Sequence, residues 1–296
     1  MIQLSKRLKI YLYSAFILTG ITVLIETLAL FLAYTPSSNY FQPSLLYSLL
    51  KSFALIASAF FLTALFTFPK GELKGDSPLT LPVSIGSGLM SIILIASGLC
   101  SILVSLQQQS DAMFMIVCGI FSLVAAGYFA INVFTTDKSE KREKHALLGF
   151  AVPISALLYI AVTYFDAAVS MNAPAKLMLH LCLIFFMLWF LQELRAMIGK
   201  ATPRLYFSFG LITMLFSALS SLPWLIAFVA NRVAEPLYPT YIVYNIISLG
   251  IFCYTAVRLC VFVSARTLVE RIYNQAPPEE APDEQENVQE EKDTNI

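Results

Sequence analysis

Histidine is nearly missing from this 296-residue chain, which has two in all, and tryptophan is as rare. Two histidines and five scattered cysteines do not compose a zinc site with tetrahedral ligand spacing, and no H-E-x-x-H stretch occurs. G-x-x-x-x-G-K-[ST] is missing too, so ATP-driven work would need another subunit. Charge is scarce: Asp, Glu, Lys and Arg make up 13% of the residues, where soluble domains average about 25%. The basic residues sit in separate short connections and form no single face, which excludes a nucleic-acid surface. The stretch IGSGLMS sets Ser87 between glycines, but His180 falls near the opposite end of another apolar run, too far in depth to form a dyad. No enzyme, metal or cofactor is therefore expected. The five cysteines (Cys100, Cys118, Cys182, Cys253, Cys260) all lie inside apolar runs. They read as unpaired small apolar residues and not as an oxidised framework.

What the chain has in abundance is hydrophobicity, at 58% of residues. A criterion of about 20 apolar residues per span finds eight runs, near 10–34, 44–68, 80–106, 112–135, 146–168, 175–198, 205–230 and 240–264. The first is too long for the apolar region of a leader peptide and no A-x-A site follows it, so it reads as a span. The expected fold is an all-α polytopic transmembrane bundle occupying 1–274, with the bilayer as its principal partner. Residues 1–274 hold 18 Lys and Arg against 11 Asp and Glu, whereas 275–296 hold eight acids and one base, Lys292. The terminal segment is rich in proline and almost without apolar side chains, the composition of a disordered acidic tail.

Orientation follows from the distribution of Lys and Arg. With the amino terminus in the cytoplasm, sixteen of them fall on the inner side and three, Lys51, Lys176 and Arg232, on the outer. That bias predicts both termini inside, in a cell membrane. Asn172-Ala173-Pro174 reads as an N-cap with proline in the first turn of the sixth span.

Ionisable residues inside a span are costly and mark candidate sites. Glu26 and Lys51 lie about 11 Å inside the outer ends of the first two spans by helical rise, and Glu193 and Arg258 share a depth near the inner ends of the sixth and eighth. Each couple is a candidate ion pair. Asp166, His180 and Asn245 add a candidate polar cluster near the outer ends, which with Glu26 and Lys51 would line a cavity. The third span is rich in small residues, among them Ser84, Gly88, Ser91 and Gly98, a pattern for close helix packing or for a membrane-protein partner. In the seventh span Pro223 predicts a kink, with Ser217, Ser220 and Ser221 nearby to satisfy the freed carbonyl. Two readings stay open: transport of a small solute or ion through the outer polar cluster, or a non-catalytic scaffold, accessory subunit or sensor working through helix contacts and the tail.

Overall fold

The computed structural model describes residues 2–35, 40–67, 80–107, 112–134, 142–166, 169, 172–198, 200–232 and 240–275. The helices in chain order are α1 (Ile2–Leu32), α2 (Leu45–Thr67), α3 (Leu81–Gln107), α4 (Ala112–Phe134), α5 (Arg142–Gly149), α6 (Ala151–Phe165), α7 (Pro174–Met197), α8 (Pro203–Val229) and α9 (Thr240–Gln275). Eight stretches of helix are long and apolar enough to cross a membrane, the fifth running from His145 to Phe165 through the α5–α6 junction. The proposed acidic tail from 276 onward lies outside the described residues.

Contacts between helix ends show three couples of successive spans to run antiparallel. Tyr11, early in α1, stacks on Phe60, late in α2. A Cβ on Gly88, early in α3, would touch Val133 at the end of α4, and one on Gly210, early in α8, would meet Leu259 late in α9. The bundle therefore has a first face, where α1 begins, and a second face, where α1 ends. α8 is the central helix: 72% of its most apolar window is buried, against 28% for α2 at the periphery.

Local chemistry explains the places where helices start, break and stop. The first span ends two residues earlier than its apolar run, because Tyr34–Thr35 pair antiparallel with Tyr40–Phe41 as strands β1 and β2. Thr35 precedes Pro36, and a residue before proline is driven to extended backbone. This small hairpin is an addition to the expected all-helical fold. Ser44 caps α2, its hydroxyl accepting from the Tyr47 N–H at 3.2 Å. Pro153 would press its ring on the Gly149 carbonyl four residues back, which accounts for the break that separates α5 from α6. Phe150 there keeps right-handed backbone, and its N–H bonds Leu147 O. Ala173 and not Asn172 is the N-cap of α7, since Pro174 in the first turn holds its predecessor extended at ψ 133°. α8 closes on Asn231 at φ 53°, with Arg232 N–H bonding back to Ala227 O, the six-to-one closure of a Schellman turn.

Packing in lipid depends on close approach and interhelical hydrogen bonds more than on burial of apolar area. α3 and α4 touch backbone to backbone: a Cβ on Gly98 would lie 2.9 Å from Gly119 O, and one on Gly119 2.8 Å from Gly98 O. Ser91 donates across the same interface to Ala126 O at 3.0 Å. A hydroxyl chain Ser155–Ser122–Tyr159–Ser97, with steps of 3.1, 2.8 and 3.2 Å, then ties α6 to α4 and α3. Beside it lies a cavity of about 10 Å³ bordered by Ser155, Tyr159, Leu183, Phe186 and Ile251, room for about one water. All five thiols are free.

Candidate functional site

Four charged side chains are buried among the described residues: Glu26, Lys176, Glu193 and Arg258. They occupy three separate places.

Glu26 lies six residues before the end of α1, about 9 Å along the helix axis, and has no exposed surface. α1 packs on α8 there, and Oε1 accepts a hydrogen bond from Trp224 Nε1 at 3.3 Å. Oε2 has no hydrogen-bond partner among the described residues. Lys51, its expected counter-charge, is exposed on α2, with its ammonium 4.4 Å from the centre of the Tyr47 ring. The structure therefore does not join Glu26 to Lys51. Sequence depth matched the two residues along their helices, but rotation about the helix axis points them in different directions.

The outer polar group also divides. Lys176, buried to 1%, folds back over the end of α6 and donates to Asp166 O at 2.9 Å, Val169 O at 3.0 Å and Tyr164 O at 3.3 Å. The last carbonyls of a helix want such a cation. One turn on, His180 Nε2 sits 2.8 Å from Thr163 Oγ1 and links α7 to α6. Asp166, half-buried, lies within electrostatic reach of Lys176 and Tyr241. Asn245 is half-buried on α9, four residues beyond Tyr241. Lys176, His180 and Asp166 form a second polar group on α6 and α7, within reach of Tyr241 on α9 and separate from the α1–α8 contact that holds Glu26.

Toward the first face, Glu193 of α7 and Arg258 of α9 form an ion pair, buried to 1% and 6%. Each lies one turn past a ring in contact with the other helix, since Trp189 and Tyr254 have centroids 5.9 Å apart. The rings continue through Tyr206 of α8 and through Phe190 and Phe129 to α4. The pair is thus floored by an aromatic cluster of four helices. Gln192 Oε1 and Glu193 Oε2 have no partner among the described residues.

Of the small residues expected to mark an interface, Gly98 and Ser91 are spent on α4, while Gly88 meets Val133 of α4 at ordinary contact distance. Ser84 continues the first turn of α3, its N–H bonding Thr80 O. Around Pro223 the helix is continuous. The nearby hydroxyls do not bond Leu219 O, the acceptor proline leaves free: Ser221 and Ser217 reach back to Ser217 O and Thr213 O, and Ser220 crosses to Ser248 of α9. Sequence reading missed Trp224 as the partner of Glu26 and Tyr34 as the ring packed on Trp224. Tryptophan's rarity was the one available signal, because a buried indole N–H must find an acceptor.

Fold and site together define a multi-pass membrane protein with a carboxyl buried at one end of the bundle and an ion pair buried toward the other. No protein-family model, curated protein or solved structure matches the chain.

Proposed function

We propose that this chain is a proton-coupled carrier of a small solute, with Glu26 as the carboxyl that takes up and releases the proton. The observation that carries this reading is a glutamate with no solvent exposure and, among the described residues, no cationic partner and one unbonded oxygen. A bare carboxylate in such a place is costly, so its charge is tolerated only in company. A metal cation fits poorly, because the polar group bonded to Oε1 is the Trp224 N–H, a donor. A proton on Oε2 removes the charge without requiring a cationic partner. The Glu193–Arg258 pair at the opposite end would close the first face, which makes the described conformation an occluded one. By the Lys and Arg count that face is cytoplasmic and holds both termini.

For the scaffold reading, Gly88, Ser91 and Gly98 of α3 already contact α4, so a bulky Gly88 variant would disturb the bundle before it displaced any partner.

The reading is tested in proteoliposomes loaded with a pH-sensitive dye and challenged with a panel of amino acids, sugars and organic acids. At least one solute should acidify the lumen with the native chain and not with Glu26→Gln at equal reconstituted abundance. Infrared spectroscopy should resolve a carboxylic C=O band that titrates in the native protein and is missing in the variant. A Glu26→Gln protein that still acidifies the lumen, or a native protein without such a band, refutes it.

A further inference from the structure

Glu26 is shielded toward the second face by a run of rings that the sequence leaves unconnected. Trp224, which holds Oε1, meets Tyr34 edge to face, with centroids 5.5 Å apart at 88°. Tyr34 is the first residue of β1, two positions past the end of α1. Its ring packs in turn on Phe41 of β2 at 5.5 Å, and Phe41 stacks on Tyr47 of α2 at 4.9 Å. The Lys51 ammonium closes the row over Tyr47. Between the buried carboxyl and the second face, the order along this row is therefore indole, then phenol, then the buttress of β2 and α2.

From this we infer that Tyr34 is the access-controlling residue for Glu26. Water and protons reach the carboxyl from the second face when the Tyr34 ring leaves Trp224, and not from the first face. Three observations support the assignment. Glu26 is nearer the end of α1 than its start by a factor of about four in residues, so the route past Tyr34 is the short one. Phe41 of β2 packs on Tyr34 and is itself stacked on Tyr47 of α2, so a shift of α2 against α8 would separate the ring pair. Burial also pushes the Tyr34 phenol up to about 12, so the gate is a neutral group that does not compete for the proton. The inference takes from the carrier reading only the reason for access; the access itself is measured separately.

A quaternary-ammonium carbodiimide, which does not cross bilayers, reports that access by adding to the Glu26 carboxyl, with the mass of its peptide as readout. The native full chain in sealed vesicles should resist labelling from both sides. Tyr34→Ala should raise labelling roughly threefold to tenfold, the population change expected for loss of one edge-to-face ring pair. The increase should occur only when the reagent is on the second-face side, and Tyr34→Phe should behave as native. Tyr34→Leu, which keeps apolar bulk without the ring, is the second variant and should match Tyr34→Ala even if the alanine protein fails to accumulate. Unchanged labelling in Tyr34→Leu, or labelling that rises equally from both sides, overturns the proposal. If labelling responds as expected while the infrared band does not titrate, the gate stands and the carrier reading falls; the reverse pattern removes the gate alone.

Discussion

Glu26, Lys176 and the Glu193–Arg258 pair meet the cost of buried charge in three different ways, and substitution should separate them. Lys176 gives its protons to three backbone carbonyls at the end of α6 and in the turn after it. Lys176→Met keeps the stem but strands those acceptors, so the melting midpoint in detergent should fall by the equivalent of about 3 kcal/mol. The Glu26 infrared titration should be unchanged. For the ion pair, Glu193→Gln or Arg258→Gln alone should cost about 3–5 kcal/mol, because each leaves a buried charge uncompensated. The double variant should recover part of that loss in the same melting assay; additive losses would show that the two charges do not depend on each other. Glu26→Gln should be nearly neutral in stability, because the amide oxygen can still accept from Trp224. These contrasts also mark what was legible in the residues. Depth counting matched Glu193 with Arg258, whose helices present them to each other, and matched Glu26 with Lys51, whose helices do not. Depth is a one-dimensional quantity, and the azimuth that decides a contact is set by which faces pack.

At the scale of elements, the α3–α4 contact depends on two glycines that meet through their carbonyls. Gly98→Val must push α4 away, since even a Cβ comes within 2.9 Å of Gly119 O; a loss of about 1–3 kcal/mol is expected for such overpacking. Gly20→Ala in α1 is the control, because a Cβ there meets nothing within 4 Å. By helix propensity it should be neutral or slightly stabilising. Equal melting midpoints for Gly98→Val and Gly20→Ala would refute the close contact. The small-residue pattern was readable as a packing signal, but not its partner: small residues state that something approaches closely, and only the fold says what. The hairpin between α1 and α2 was hidden for a related reason. Its strands are two residues each, too short to show an alternating pattern, and Pro36 was the single local cue.

For the molecule as a whole, the eight spans were legible because the bilayer demands about 20 apolar residues per crossing, and the antiparallel contacts agree with that number. On the proposed topology of eight crossings, the start of α1 and the end of α9 share one side. Epitope tags at the amino terminus and after Gln275 should therefore become protease-accessible together, in vesicles of one orientation and not the other. Tags exposed from opposite sides would remove a span from the topology. The central position of α8 was not legible, since its hydropathy is no higher than that of α7. Burial depends on neighbours, and hydropathy does not record them.

The last helix extends past its own membrane span. The apolar window ends at Ala265, yet α9 continues to Gln275, and ten further residues add up to about 15 Å of helix. That length is about twice the screening distance of roughly 8 Å in physiological salt, so a charge at the far end of an upright α9 would be largely screened from the lipid headgroups.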